Sequence, residues 1–137
     1  MKIFIVCSKH FYNKIPPIQK ELENYDHQIT LPNSYENPFK EDKLRKMNLQ
    51  ECIKWKQEMM RLHEPKIKSV EGLLVLNLDK NNQPNYIGGA TFMEIVKAWE
   101  LEKRIFIYNP IPKNIFRDEL EGINPQILNQ NLSLIPK

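Results

Sequence analysis

The chain has few of the residues that usually build metal, redox and cofactor sites. Its 137 residues include only four glycines, two cysteines and three histidines. Cys7 and Cys52 lie far apart and form no ligand spacing, which favours reduced, buried thiols. No HExxH, CxxC, Walker, GxGxxG or Ser-His-Asp pattern occurs. We therefore expect no metal and no organic cofactor.

Long apolar runs and concentrated positive charge are also absent. The amino-terminal MKIFIVCS is too short for a signal peptide, and no stretch approaches the apolar length of a membrane span. The net charge of +3 comes from scattered lysines and not from a basic stripe with interleaved aromatics. We expect a cytoplasmic protein with neither a membrane nor a nucleic acid as partner.

Short apolar runs alternate with segments of helical pattern along the chain. The predicted strands are residues 2–7, 27–32, 72–78 and 104–110, with a short apolar piece at 125–128. The predicted helices are residues 16–24, 41–64 (ended by Pro65), 89–103 and 115–121. Such alternation predicts a single α/β domain, residues 1–137, with helices on both faces of a doubly wound parallel sheet. We expect about five strands in flavodoxin-like order, with right-handed crossovers.

Residues 72–110 hold three of the four glycines. Gly88 and Gly89 stand together before a predicted helix, where they relieve a tight turn or let a ligand approach the positive helix end. Ligands of open α/β sheets bind beyond the carboxyl ends of the strands, beside such helix ends. This segment is therefore the predicted location of the functional site.

Glu94, predicted to lie in the first turn of that helix, has two interpretations. The residues predicted to face the sheet are Phe92, Ile95, Val96 and Trp99. The residues predicted to share the side of Glu94 are Ala90, Ala98 and Leu101. A carboxylate among small and apolar neighbours suggests a pocket or a subunit contact. Thr91-Phe92-Met93-Glu94 also fits a capping box, which would give Glu94 a structural role.

Polar residues follow the third predicted strand at the edge where ligand contacts collect. Asn77 and Asp79 flank this strand end, although Asp79 also suits the start of the DKNNQ turn. Along the segment 41–64, apolar residues keep helical spacing on one face, which predicts core packing. The members of that stripe are Leu44, Met47, Cys52, Trp55, Met59 and Leu62.

Ser8 follows the first predicted strand at the same edge of the sheet. The loop after Ser8 contains Phe11 and Tyr12. Either aromatic ring has two interpretations: it stacks on a ligand ring, or it only covers the core. His10 and His63 have no visible partner in the sequence and are interpreted as surface histidines.

VEGLLVLNLD, a loop, and IGGATFMEIVKAWELEKRIFIYNP together resemble the nucleoside 2-deoxyribosyltransferase-like family. KIFIVCS near the amino terminus and DELEGINPQIL near the carboxyl terminus fit the same pattern. The resemblance implies a flavodoxin-like fold and cleavage or base exchange at the N-glycosidic bond of a (deoxy)nucleoside or its monophosphate. It also implies a homodimer or a higher homo-oligomer whose sites a neighbouring subunit completes.

The resemblance assigns roles by position. Glu94 is the expected nucleophile, which attacks the anomeric carbon and forms a covalent glycosyl-enzyme. Asn77 or Asp79 lies nearest to the family's base-contacting acid. The expected substrate-binding residues are Ser8, Tyr12, Gly88, Gly89, Ala90 and Thr91.

The chain departs from the family at three places. Gly88 stands where many relatives have an aspartate, Asn77 cannot act as a general acid, and the loop after the first strand lacks a glycine-rich phosphate-binding form. A non-catalytic nucleotide-binding module on the same fold is therefore the alternative. A structural domain in which Glu94 only caps its helix is a third reading.

Overall fold

The computed structural model describes all residues from 1 to 137 and contains one five-stranded sheet in the order β2-β1-β3-β4-β5. The strands are β1 (Lys2–Val6), β2 (Gln28–Thr30), β3 (Gly72–Val75), β4 (Arg104–Ile107) and β5 (Gln126–Ile127). Every neighbouring pair is parallel. This is the strand order of the flavodoxin-like doubly wound fold, so the predicted fold class is confirmed.

Six α-helices and two short 3₁₀ turns connect and cover the strands. The helices are α1 (Ile15–Asn24), α2 (Lys40–Met47), α3 (Leu49–Arg61), α4 (His63–Lys68), α5 (Gly89–Glu100) and α6 (Arg117–Ile123). The 3₁₀ turns are Lys9–Lys14 and Leu132–Leu134. None of the helices combines the length and the apolarity that a membrane crossing requires.

Successive strand residues point to opposite sides of the sheet, and helices cover both sides, so both faces are buried. The core on one side joins β1 to α1 through Ile3, Ile5, Ile15, Ile18 and Leu22. The core on the other side joins β1 to α4 and α5 through Phe4, Val6, Ile67, Ile95 and Ala98. With both faces covered, the carboxyl edge of the sheet is the open part of the architecture.

The single helix predicted for residues 41–64 is wrong. Asn48 has extended backbone angles (φ −155°, ψ 105°), and its side chain accepts a hydrogen bond from the Glu51 amide at 3.2 Å. Asparagine is a favoured N-cap, so it ends α2 and starts α3. Pro65 does not end a helix either, because it lies in the first turn of α4, where its missing N–H leaves no bond unmade.

The predicted sheet-facing side of α5 is also wrong in part. The buried residues of this helix are Thr91, Glu94, Ile95 and Ala98. Trp99 is 54% exposed, whereas Phe92 packs against the core on this side of the sheet and stacks on Phe116 with ring centroids 4.3 Å apart. Helical spacing shows which residues share a side, whereas packing against neighbouring elements decides which side is buried. Glu94 and Ala98 are therefore buried within this chain, whereas Ala90, on the same side of the helix, is exposed.

Candidate active site

A cavity of about 270 Å³ lies at the carboxyl edge of the sheet. Its walls come from the segments that follow β1, β2 and β3, from α3, and from the start of α5. The predicted site residues that line it are Ser8, Tyr12, Gly88, Gly89, Ala90, Thr91 and Glu94. The strand order reverses between β1 and β3, so this cavity occupies the position where doubly wound folds bind ligands.

Glu94 contributes a buried carboxyl group to the cavity wall. Only 8% of the residue is exposed. Burial raises its pKa to about 8, and the ammonium groups of Lys66 and Lys56 oppose that rise. In the ligand-free protein the carboxyl group is therefore mainly protonated at neutral pH.

The capping-box interpretation of Glu94 is wrong. Helix α5 starts at Gly89 after an N-cap at Gly88, and no side chain caps it. Glu94 consequently falls in the second turn, and the first turn contains no acidic residue. The positive end of α5 therefore lies at the cavity without a side-chain cap.

Neither glycine at the start of α5 provides a left-handed turn, because no glycine in the chain has a positive φ. Gly88 is extended, with φ −88° and ψ 176°. A Cβ atom on Gly88 would lie 3.1 Å from the Tyr86 hydroxyl oxygen, whereas one on Gly89 would have nothing within 4 Å. Gly88 thus makes room for Tyr86, and Gly89 leaves its backbone open to the cavity.

His63 is a site residue that the sequence interpretation missed. Its Nε2 atom lies 3.8 Å from Oε2 of Glu94, and the two side chains are 12% and 11% exposed. Burial lowers the pKa of His63, and the positive charges of Lys56 and Lys66 lower it further. A neutral imidazole therefore faces a protonated carboxyl group, slightly beyond hydrogen-bond distance.

Helix α3 forms a cavity wall that the sequence interpretation assigned to the core. Trp55, Lys56, Met59 and Met60 all line the cavity, and Cys52 is the buried residue of this helix. The predicted core stripe is wrong at Met47, which is 72% exposed, and at Leu62, which is 44% exposed.

An ion-paired acid completes this wall. Glu41 bonds to Lys56 at 3.2 Å and to Arg45 at 3.3 Å. Despite partial burial, these two cations hold the pKa of Glu41 below its usual value. Glu41 and Glu94 are therefore carboxyl groups of opposite character at one cavity, one ionised and one protonated.

Tyr12 and Ser8 border the cavity from the 3₁₀ turn after β1. The Tyr12 hydroxyl lies 2.9 Å from Ser34 Oγ, and burial raises its pKa to about 12. The Ser8 hydroxyl accepts a hydrogen bond from the His10 amide at 3.4 Å and caps the turn. Tyr12 is thus a neutral phenol, and Phe11 is buried in the core.

Asn77 does not line the cavity. Its Nδ2 atom donates to the carbonyl oxygens of Asn109 at 3.0 Å and Pro110 at 2.9 Å. Its Oδ1 atom accepts from the Asn109 amide at 2.8 Å. With the residue fully buried, these bonds tie the segment after β3 to the segment after β4.

Asp79 also stays outside the cavity lining. Its Oδ1 atom accepts a hydrogen bond from the Asn85 amide at 3.0 Å, which closes the loop between β3 and α5. These contacts agree with the turn interpretation of Asp79.

The arrangement can deliver a carboxylate to an electrophilic carbon. Glu94 must first lose its proton, and the His63 imidazole, whose Nε2 atom lies 3.8 Å from Oε2 of Glu94, is the candidate base. No group of three or more His, Cys, Asp or Glu side chains is placed to hold a metal ion.

No protein-family model, no curated protein and no solved structure matches this chain.

Proposed function

We propose that this protein cleaves the N-glycosidic bond of a (deoxy)nucleoside or nucleoside monophosphate, or exchanges its base, with Glu94 as nucleophile. The observation that carries the proposal is the buried Glu94 carboxyl group at the wall of the switch-point cavity. The resemblance of residues 72–110 to the deoxyribosyltransferase-like family supplies the substrate class.

The first half of the reaction begins with a proton transfer from Oε2 of Glu94 to Nε2 of His63. The resulting carboxylate forms a bond to the anomeric carbon while the carbon–nitrogen bond breaks and its electron pair moves to the base. The departing nitrogen takes up the proton that His63 holds, directly or through a water molecule. Glu94 is then a glycosyl ester and His63 is neutral again.

The second half releases the sugar. Water or an acceptor base attacks the anomeric carbon, the ester bond breaks, and its electron pair returns to the carboxylate. His63 accepts the proton of the attacking group and passes it to Glu94, which restores the starting state. Burial disfavours charge on both Glu94 and His63, so it favours this return of the proton to Glu94.

The experiment is a panel of nucleosides and monophosphates, each with and without an acceptor base, chromatographed for released or exchanged base. The wild type is compared with Glu94→Gln and with Glu100→Gln, an exposed glutamate on the same helix. We expect the Glu94 variant to lose activity by about 10³-fold or more and the Glu100 variant to keep it. Full activity of Glu94→Gln would exclude Glu94 as the nucleophile.

A covalent intermediate gives an independent readout. A 2-deoxy-2-fluoro nucleoside slows ester hydrolysis because the fluorine destabilises the oxocarbenium-like transition state. We expect mass spectrometry of the digested protein to find the added sugar on the peptide that contains Glu94, and none in Glu94→Gln.

The raised pKa of Glu94 favours one alternative, the non-catalytic nucleotide-binding module. A protonated carboxyl group donates a hydrogen bond and is a poor nucleophile. Tight binding of a nucleotide by the wild type, with no product and no covalent adduct for any member of the panel, would support that alternative.

A further inference from the structure

One side of the cavity carries a group of basic side chains that the glycosidic chemistry does not use. These residues, Lys9, His10 and Lys80, form what we term the cationic side of the cavity. Lys9 and His10 follow β1, whereas Lys80 comes from the loop after β3. Two separate chain segments thus bring positive charge to the same cavity.

Of the two lysines in this group, Lys80 is the one without an acidic partner. Lys9 forms an ion pair with Asp42 at 2.6 Å, and the neighbouring cavity residue Lys56 is paired with Glu41 at 3.2 Å. The Lys80 ammonium instead lies 4.5 Å from the centroid of the Tyr86 ring. An aromatic face holds a cation without neutralising it, so the charge is available to an anion.

The cationic side is anchored at the backbone. Lys80 and Gln83 exchange two hydrogen bonds, of 3.0 Å and 2.9 Å, and the Asp79 side chain closes the same loop on Asn85. Ser8 caps the turn that carries Lys9 and His10. The backbone of Lys80 is therefore already fixed in a closed loop, so less conformational entropy is lost when its side chain binds an anion.

The pKa of His10 reflects the positive charge on this side of the cavity. Partial burial lowers the pKa of His10, Lys80 and Lys9 lower it further, and Asp42 opposes them. An anion placed among these groups reverses the effect of the two lysines and favours the imidazolium form. His10 is thus a sensor of an anion bound at this side.

We propose that the cationic side binds the phosphate of a phosphate monoester, so that the preferred substrate is a nucleoside 5′-monophosphate and not the free nucleoside. This inference rests on the proposed function, because it selects one of that function's two substrate classes. The phosphate is a binding handle only, and none of its bonds changes in the reaction. Lys80, from the loop after β3, and His10 supply the contacts to the phosphate oxygens that a glycine-rich loop would otherwise provide.

The first test measures binding without turnover. The His10 imidazole is titrated by NMR in the wild-type protein with inorganic phosphate or with chloride at equal ionic strength. We expect phosphate to raise the pKa of His10 and chloride to leave it unchanged. In Lys80→Gln the phosphate effect should be lost, whereas Lys20→Gln on α1, outside the cavity, should retain it. No phosphate-dependent shift in the wild type would overturn the subsite.

The second test measures substrate choice as the ratio of kcat/KM for a monophosphate to that for its nucleoside. We expect the ratio to favour the monophosphate and to fall by about 10- to 100-fold in Lys80→Gln, but not in Lys20→Gln. An equal ratio in all three proteins, with activity still dependent on Glu94, would overturn the inference and leave the proposed function standing. Absence of turnover beside an intact phosphate effect on His10 would remove the proposed function and support the anion subsite.

Discussion

His63 and Glu94 meet at 3.8 Å although they lie on different helices, α4 and α5. Each side chain is largely buried, and burial favours the uncharged form of both. The pair therefore holds a single proton, which can lie on the carboxyl oxygen or on the imidazole nitrogen. Its position determines whether Glu94 can act as a nucleophile.

The rate of the proposed reaction should fall when the His63–Glu94 pair loses its proton, because that proton passes through His63 to the departing nitrogen. The Glu94 carboxyl group is protonated below its pKa of about 8 and ionised above it. We expect kcat/KM, measured from about pH 6 to about pH 10, to decrease through that pKa. A kcat/KM that rises over the same range would contradict proton delivery from this pair.

Replacing His63 should slow the chemical step more than it weakens binding. We expect His63→Ala to lower kcat by about 10²-fold or more with little change in KM, because the proton acceptor is lost. Added imidazole should restore part of kcat by entering the space of the missing ring. Glu64→Gln, the exposed neighbour on α4, is the matched control and should behave like the wild type. Failure of imidazole to rescue would indicate a structural role for His63.

Stability should also depend on the titration of Glu94. The pKa of Glu94 is about 8 in the folded protein against 4.5 for an unperturbed glutamate, so between these values the folded protein holds a proton that the unfolded chain has lost. The free energy of unfolding should therefore fall as pH rises through this window, by about 1.4 kcal/mol per pH unit from this group.

The comparison that isolates this contribution is urea unfolding of the wild type and Glu94→Gln at several pH values. The glutamine cannot ionise, so the free energy of unfolding of the variant lacks this decrease with pH. As pH rises towards 8, the wild type should therefore lose stability relative to Glu94→Gln. Glu100→Gln should follow the wild type. Parallel pH dependences for wild type and Glu94→Gln would show that folding does not raise the pKa of Glu94.

Local patterns were enough to predict the sheet and one wall of the cavity. The buried runs that became β1, β3 and β4 are continuous in sequence, and residues 88–91 lie next to each other at a helix start. The position of a site above such strand ends follows from the topology alone. These features needed no knowledge of how distant segments pack.

The opposite wall depends on contacts that sequence spacing does not encode. Asn48 interrupts a helical pattern that continues on both sides of it, and the resulting path brings Trp55 and His63 to the cavity. An N-cap asparagine was a readable signal for the break. No pattern in the sequence relates His63 to Glu94, because their approach is set by the packing of α4 against α5.

Asn77 should prove a structural residue. Its buried amide makes three hydrogen bonds with the backbone of Asn109 and Pro110, so Asn77→Ala leaves several buried polar groups unpaired. We expect a loss of about 2–4 kcal/mol in the free energy of unfolding, measured in urea, with the activity of the folded fraction preserved. Asp79→Asn, at an exposed loop with one side-chain hydrogen bond, should change stability by less than about 1 kcal/mol. A large fall in kcat/KM of Asn77→Ala at unchanged stability would instead place this amide on the substrate base, against the bonds that tie it to the end of β4.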